Sequence, residues 1–172
     1  MELTRRESSE LSGRELQELL HLCERAYGEA LSSYLEALSG SHLLGREGGR
    51  LICHGMWVTR WLQVGTGPLL RTAYVELVAT EPSEQGRGLA STLMRAMPPH
   101  WGEYQLAALC PAPTSLYERL GWKDWAGPLA VRQEDACWLT PEERALILPL
   151  ANTPPLDRRG TLSVEWRPIE VW

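Results

Sequence analysis

A glycine-rich turn between a predicted strand and a predicted helix contains the residues whose types point most directly to chemistry. It reads Gln85-Gly86-Arg87-Gly88-Leu89-Ala90. Glycines let a ligand approach the backbone closely, and the N–H groups in the first turn of a helix lack intrahelical partners. The helix dipole adds roughly half a positive charge at the same end. The turn therefore predicts a binding site for an anion such as a phosphate group.

Two nucleotide-binding motifs do not fit this turn. The dinucleotide-binding pattern requires G-x-G-x-x-G, whereas Gly86 and Gly88 are followed by Ala90 and Ser91. The P-loop sequence G-K-[ST] is absent as well. The structural alternative is a plain glycine-rich turn that only caps a helix.

The remaining pattern places this turn after a meander of three antiparallel strands. Ser12 and Glu15 form a capping box for a helix that ends at Gly28, and a second short helix is expected at about 33–38. The strands of the meander are expected at 42–46, 51–64 and 69–80, and the helix after the turn extends from Ala90 to Pro98. Later come a strand at 104–110, a loop at 111–113, a helix at about 115–120, and strands within 122–133, 144–150 and 162–166. This order predicts an α+β or mixed α/β fold.

Length and charge limit the class of protein. The 172 residues predict a single domain over 1–172. There are 17 Lys and Arg residues against 22 Asp and Glu residues, a net charge of −5, which disfavours a nucleic-acid partner and permits a cationic one. The sequence has neither a signal-peptide core nor a run of about 18 apolar residues, so we expect a cytoplasmic protein without a membrane span.

Cysteine, histidine and tryptophan residues carry weaker signals. The four cysteines and four histidines lack the spacing of metal ligands, so we expect no metal site. The cysteines could pair as two disulfides, but without a sign of export we expect reduced core thiols. The chain has 8 Trp, 5 Tyr and no Phe, which suggests either an amphipathic aromatic surface or Trp as core filler in place of Phe. Packing is the simplest role for Trp57, Trp61, Trp122 and Trp138, while Trp101, Trp125 and Trp166 are left open.

The glycine turn and its flanks resemble the GNAT N-acetyltransferases, whose acetyl-CoA turn reads Q/R-x-x-G-x-G/A. Val78 and Pro82 before the turn and Leu93-Met94 after it agree with that family. The resemblance implies a central, mostly antiparallel twisted sheet flanked by helices and splayed between its fourth and fifth strands. It also extends to the aminoglycoside 2′-N-acetyltransferases, a similarity carried by Tyr74–Ala79, Leu116-Tyr117, Gly121-Trp122, Trp166-Arg167 and the terminal Glu170-Val171-Trp172.

The resemblance implies acetyl-CoA as the cofactor, without a metal. The residues expected to bind it are Val78, Ala79, Thr80, Gln85, Gly86, Arg87, Gly88, Leu89 and Ala90. Acetyl transfer to an amine needs a base, a donor to the oxyanion and an acid for the leaving thiolate. We expect Glu76 to act as the base through water, the N–H of Val78 as the donor and Tyr117 as the acid. The structural alternatives are an outward-facing strand glutamate and a core tyrosine.

The same resemblance implies an aminoglycoside, a polycation, as the substrate and suggests a homodimer. The residues expected to contact it are Glu29, Glu76, Leu77, Cys110, Glu142 or Glu143, Glu170 and the terminal residue Trp172. Three features depart from the family: glutamates stand where family members carry aspartates, Ser33 stands where a second acid is expected, and Pro168-Ile169 replaces a glycine-containing turn. The alternatives are a GNAT enzyme for another amine, such as a polyamine, an amino sugar or a protein N-terminus, and a non-catalytic acyl-CoA-binding or drug-binding module.

Overall fold

The computed structural model describes residues 1–111, 114–134 and 136–172, which cluster into two units. The first unit contains Met1–Val58 and Val75–His100, and the second contains Thr59–Tyr74 and Trp101–Trp172. Residues 112 and 113 of the loop expected at 111–113 lie outside the described residues. A single domain over 1–172 stays a prediction.

The first unit combines an antiparallel sheet with three α-helices. Its elements are strand β1 (Glu2–Glu7), helix α1 (Gly13–Tyr27), helix α2 (Ser32–Glu36), strand β2 (Ser41–Glu47), the first part of β3 (Arg50–Val64), the last part of β4 (Leu69–Thr80) and helix α3 (Leu89–Ala96), with short 3-10 helices at Ser8–Glu10, Pro82–Glu84 and Pro98–His100. Strand β2 pairs antiparallel with both β1 and β3. Strand β1 was not predicted, because its sequence ELTRRE has no apolar alternation and its ladder with β2 is built from backbone groups.

Helix α1 begins and ends where its sequence signals predict. The Ser12 side chain accepts a hydrogen bond from the Glu15 N–H at 3.2 Å, and the Glu15 carboxylate accepts one from the Ser12 N–H at 3.0 Å. Gly28 ends the helix with φ +77°, in the left-handed region. The helix buries Leu19, Leu22 and Cys23 on the face that packs into the first unit.

Helix α3, which follows the glycine turn, packs closely on β3. A Cβ added at Gly55 would lie 2.5 Å from Cε of Met97 and 3.1 Å from Cδ2 of Leu93. Leu93 and Met94 in α3 are fully buried. The absence of a side chain at Gly55 therefore lets the helix approach the sheet and positions the turn at its N-terminus.

The second unit is a mixed sheet with one short helix. It comprises the remaining parts of β3 and β4 together with β5 (Leu106–Leu109), α4 (Ser115–Arg119), β6 (Lys123–Asp124), β7 (Leu129–Gln133), β8 (Ala136–Leu139), β9 (Leu146–Pro149) and β10 (Leu162–Glu165). The strand order is β6-β9-β5-β4-β3-β10-β7-β8. The β4–β5 and β7–β10 pairs are parallel, and the former ends at Tyr74 and Ala108. The predicted mixed α/β fold, with its splay after the fourth strand, is confirmed.

The strand expected within 122–133 is interrupted, and another strand was missed. Gly127 separates β6 from β7, and its Cα approaches Gly160 so closely that an added Cβ would lie 2.2 Å from the Gly160 carbonyl oxygen. Pro128 follows it, which also favours a break, since proline cannot donate to a ladder. Strand β8 was missed because all four of its residues are exposed at the edge of the sheet.

Two tryptophans and one cysteine contradict the packing expectations. Trp57 and Trp122 are buried, whereas Trp61 is 44% exposed and Trp138 is 41% exposed. Trp61 lies between the buried residues Arg60 and Leu62, so the alternation of β3 directs it outward. Trp138 lies on the exposed edge strand β8. Of the tryptophans left open, Trp101 and Trp125 are buried and Trp166 is 43% exposed. All four cysteines are free; Cys23 and Cys53 are core thiols, whereas Cys137 is exposed.

Candidate active site

The glycine turn has the backbone geometry that an anion site requires. Gly86 has φ +80° and Gly88 has φ +77°, both in the left-handed region. A Cβ added at either position would have no atom within 4 Å, so the space above both glycines is open. Gly88 is the N-cap of α3 and supplies no capping side chain. The turn therefore fits a phosphate-bearing cofactor, because backbone N–H groups and open space coincide there.

Arg87 is held in a network of ion pairs on the surface of the turn. Its guanidinium lies 3.1 Å from the carboxylate of Glu47 and also contacts Glu84, which in turn pairs with Arg50. The bonds to Glu47 and Glu84 raise the pKa of Arg87. Because these carboxylates offset the charge of Arg87, the backbone is the main source of positive potential at the turn.

The other residues predicted to bind the cofactor lie at the two ends of the turn. Thr80 ends β4, and its carbonyl oxygen accepts a hydrogen bond from Nε2 of Gln85 at 3.4 Å. The side chains of Ala79 and Leu89 are buried in the core. These two residues therefore offer only backbone groups to a ligand, and Ala90 follows in the first turn of α3.

Glu76 is a buried carboxylate on β4. It is 8% exposed, and its Oε2 accepts a hydrogen bond from the hydroxyl of Tyr34 at 2.8 Å. The alternative of an outward-facing strand glutamate is therefore wrong. Tyr34, in α2, was missed by the sequence analysis, because a single tyrosine on a five-residue helix carries no motif.

Leu77 interrupts the regular geometry of β4. Its φ is +49°, a left-handed conformation that costs a residue with a Cβ about 1–2 kcal/mol. Its carbonyl oxygen lies 2.9 Å from Nδ1 of His54, and the next carbonyl, that of Val78, accepts from the hydroxyl of Tyr27 at 3.3 Å. Side chains from two other elements thus hold the strand in this distorted form.

Tyr117, the candidate acid, lies in α4 of the second unit. Its ring packs edge-to-face against Trp122, with the ring centroids 6.2 Å apart. Burial raises the pKa of Tyr117 to about 12. The phenol therefore stays protonated at neutral pH and is able to donate a proton.

Cys110 and Glu143 lie together in the second unit. The Cys110 thiol donates to Oε2 of Glu143 at 3.5 Å. Burial first, and then the carboxylates of Glu143 and Glu170, raise the pKa of Cys110 to about 12. The structure thus brings together three predicted substrate residues. Both glutamates left open, Glu142 and Glu143, are exposed, and it is Glu143 that contacts Cys110.

The C-terminal residues are anchored by Arg60, which the sequence analysis missed. Arg60 is only 3% exposed, and its Nε donates to Glu165 at 2.7 Å while another nitrogen donates to the carbonyl of Val171 at 3.0 Å. The same guanidinium lies 5.4 Å from the centre of the Tyr74 ring. Trp172 follows directly and is 4% exposed. Among the described residues, none accepts a hydrogen bond from its indole N–H.

Three further expectations concern Glu29, metals and membranes. Glu29 is exposed in the connection between α1 and α2. Across residues 1–111, 114–134 and 136–172, no three His, Cys, Asp or Glu side chains are grouped so that they could hold a metal ion. No helix in those ranges has the length and apolar character needed to cross a membrane.

The chain is similar to known proteins in both sequence and fold. A family model described as an acetyltransferase (GNAT) domain matches residues 8–124. An aminoglycoside 2′-N-acetyltransferase of Mycolicibacterium fortuitum is 36% identical over 143 residues, which cover 79% of this chain and 73% of the relative.

Two solved structures share the fold at lower identity. A GNAT family N-acetyltransferase of Escherichia coli (YhbS), solved in complex with CoA, has a TM-score of 0.64 at 19% identity and covers 96% of this chain and 89% of its own. Eis1 of Mycobacterium abscessus has a TM-score of 0.64 at 22% identity over 76% of this chain, which spans only 33% of the Eis1 chain. From the family match and the curated relative together, the chain belongs to the GNAT acetyltransferase family.

Proposed function

We propose that this protein transfers the acetyl group of acetyl-CoA to the 2′-amino group of an aminoglycoside. The observation that carries the proposal is the buried carboxylate of Glu76, bound by Tyr34, on the strand that leads into an anion-binding turn. The substrate is supported by the name of the 36% identical relative. The cofactor is supported by the family and by the CoA complex of the Escherichia coli neighbour.

The proposal assigns the cofactor to the end of β4 and the glycine turn. The backbone N–H groups of Gln85–Ala90 would bind its pyrophosphate, with Val78, Ala79 and Thr80 alongside its pantetheine arm. The thioester supplies an activated acetyl group. The N–H of Val78 would donate to the thioester oxygen as it becomes negative; such a donor contributes about 3 kcal/mol.

Proton transfer is assigned to Glu76 and Tyr117. A free alkyl ammonium has a pKa near ~10 and a carboxylate near ~4.3, so direct transfer between them is poorly matched. We therefore assign Glu76 to remove the proton through ordered water. The amine nitrogen would then attack the thioester carbon, so that the C–N bond forms and the C–S bond breaks. Tyr117 would protonate the departing sulfur, and the second proton lost by the nitrogen would restore the phenol.

Substrate recognition is assigned to acidic groups, because an aminoglycoside carries several positive charges. The proposed contacts are Glu29, Glu76, Leu77, Cys110, Glu143, Glu170 and Trp172. The net charge of −5 agrees with a cationic substrate. We include resistance to such antibiotics and a cytoplasmic location in the proposal, since acetylation removes a charge from the drug and acetyl-CoA is a cytoplasmic metabolite. The homodimer remains a prediction.

Steady-state assays with acetyl-CoA test this proposal. The panel contains an aminoglycoside with a 2′-amino group, a matched aminoglycoside with a 2′-hydroxyl and spermine. Turnover of the 2′-amino compound alone is the expected result. Turnover of spermine without the aminoglycoside would leave a GNAT enzyme for another amine. The absence of turnover with every amine would leave a non-catalytic binding module.

A further inference from the structure

Two buried histidines form a chain of hydrogen bonds that ends on β4 within the first unit. The hydroxyl of Ser8 lies 2.9 Å from Nε2 of His42, and Nδ1 of His42 lies 3.0 Å from Nε2 of His54. Nδ1 of His54 lies 2.9 Å from the carbonyl oxygen of Leu77. His42 is 1% exposed and His54 is fully buried, so water does not compete for the bond between the two rings or for the bond to Leu77.

The direction of each bond follows from the carbonyl at the end of the chain. A carbonyl oxygen only accepts, so Nδ1 of His54 must carry the proton. The Cys23 thiol, whose Sγ lies 3.7 Å from the same nitrogen, is therefore not its hydrogen-bond donor. Burial lowers the pKa of His54 to about 3 and that of His42 to about 4, so both rings are neutral near pH 7. Nε2 of His54 therefore accepts from Nδ1–H of His42, and Nε2 of His42 is left as an acceptor. The single proton of the Ser8 hydroxyl has two acceptors within reach, Nε2 of His42 at 2.9 Å and the carbonyl oxygen of Gly40 at 3.0 Å. We assign it to Nε2, because the Gly40 oxygen also accepts from the backbone N–H of Ser8 at 2.9 Å.

The carbonyl of Leu77 belongs to the same peptide group as the N–H of Val78. A trans peptide is planar, and its C=O and N–H bonds point in opposite directions. A donor fixed on the Leu77 oxygen therefore fixes the direction of the Val78 N–H, which points away from His54. Donation to the oxygen also polarises the peptide and makes its N–H a stronger donor.

We propose that His54, oriented by His42 and Ser8, is a positioning residue that aims the Val78 N–H at the developing oxyanion. The inference rests on the proposed function, in which that N–H is the oxyanion donor. It also explains how Leu77 keeps its left-handed conformation between Glu76 and Val78. The chain cannot serve as a proton wire for the reaction, because it ends on a carbonyl oxygen that has no proton to exchange.

A matched pair of substitutions at His54 tests the role. In His54→Asn, the side-chain amide can occupy the place of the ring Nδ1–H and still donate to Leu77, whereas in His54→Leu nothing can donate. Removal of an oxyanion donor typically lowers kcat by about 10²–10³-fold. Since the N–H remains and only its aim is lost, we expect His54→Leu to lower kcat by about 10–100-fold. The KM for acetyl-CoA should stay within about threefold, and His54→Asn should recover most of kcat.

Leu19→Ala is the control for lost stability. Leu19 is fully buried in α1, so this substitution destabilises the first unit while the histidine bonds remain. The inference is overturned if His54→Leu lowers kcat no more than Leu19→Ala does, or if His54→Asn and His54→Leu are equally impaired while both are folded.

Nitrogen NMR of the wild-type histidine side chains keeps the inference testable apart from catalysis. We expect both His42 and His54 to be neutral and protonated at Nδ1 near pH 7. A proton at Nε2 of His54 would contradict the bond to Leu77 and overturn the inference, whether or not the variants fold. If the wild-type protein acetylates no amine but shows the expected tautomers, the proposed function is wrong. The hydrogen bond by which His54 orients the Leu77–Val78 peptide group is then still supported.

Discussion

The glycine turn and the C-terminal tail are held in place in different ways. At the turn, the decisive features are local backbone conformations, the positive φ angles of Gly86 and Gly88 directly before α3. At the tail, Val171 is bound by Arg60, which is 111 residues away in the sequence. The comparison shows that the backbone geometry of the proposed anion site depends on six consecutive residues, whereas the position of Trp172 depends on a buried side chain far away in the chain.

Substitution of Glu76 should have the largest effect in the region of the turn. Glu76→Gln keeps the shape of the side chain and its bond to Tyr34 but removes its basicity. We expect kcat to fall by about 10²–10⁴-fold, the usual contribution of a general base. Tyr34→Phe is the matched control and should lower kcat by less than about tenfold, because it removes only one orienting hydrogen bond. Steady-state kinetics that show equal losses for the two variants would reject the role of Glu76.

Substitution of Tyr117 is the corresponding test of chemistry in the second unit. Tyr117→Phe retains the ring contact with Trp122 and removes the proton donor. We expect kcat to fall by about 10–100-fold, while the dissociation constant of CoA, measured by calorimetry, changes little. An unchanged kcat would remove Tyr117 from the mechanism.

Deletion of Trp172 tests whether the C-terminal tail contacts the aminoglycoside. Removal of the indole at this position should raise the KM for the aminoglycoside about tenfold and spare the KM for acetyl-CoA. Trp166→Ala, at an exposed tryptophan on the same segment, is the control and should change neither value appreciably. Equal increases in both KM values would indicate a general loss of structure and contradict a substrate role for the tail.

Substitution at Gly88 should affect the binding of acetyl-CoA rather than that of the aminoglycoside. Gly88→Ala forces a Cβ into a left-handed conformation at a cost of about 1 kcal/mol, so we expect the KM for acetyl-CoA to rise about fivefold. Gly13→Ala is the control, since Gly13 begins α1 without a positive φ and has open space around it. If Gly88→Ala raises the KM for the aminoglycoside instead, the assignment of the turn to the cofactor is wrong.

The smallest expected effect is the pH dependence of stability caused by the buried histidines. The pKa values of His42, about 4, and His54, about 3, lie below the value near ~6.5 of an unfolded histidine. The unfolded state therefore binds more protons, and the free energy of unfolding falls as the pH falls below about 6.5. By about pH 6 the expected loss is about 0.8 kcal/mol for each histidine. The carboxylate of Glu7 partly opposes this effect at His42.

Urea unfolding at several pH values measures this dependence. The His54→Asn variant has one titrating group fewer and should lose less stability between about pH 7.5 and pH 6. The same pH dependence in the variant and the wild type would show that His54 is not the source.

The parts of the fold that sequence reasoning could predict are those with local signals. The capping box at Ser12 and the stop at Gly28 predicted α1, and apolar and β-branched residues predicted β4 over Leu69–Thr80. Strand β1 could not be predicted in the same way, because its polar residues are held by backbone bonds to β2. The six residues of β1 form a strand because they pair with β2, and their own sequence does not show that pairing.

The candidate site likewise contains residues that local sequence patterns identify and residues that only the tertiary fold brings into contact. The glycine turn and the residues matched to a family motif could be identified from the sequence, but their supporting residues could not. Tyr34 contacts Glu76 from 42 residues away, and Arg60 contacts Glu165 from 105 residues away. The hydrogen-bonded histidines could not be predicted for the same reason, because His42, His54 and Leu77 come into contact only when β2, β3 and β4 lie side by side. Contacts of this kind follow from the tertiary fold and leave no spacing in the chain.

Mass spectrometry of the product tests whether the protein transfers an acetyl group to a 2′-amino group. One 2′-amino aminoglycoside is incubated with acetyl-CoA and the wild-type protein, with Glu76→Gln as the control, and the modified position is then mapped by fragmentation. We expect a single added acetyl group at the 2′-nitrogen with the wild type and far less product with Glu76→Gln. Acetylation at another nitrogen, or an aminoglycoside that remains unmodified, would contradict the proposed function.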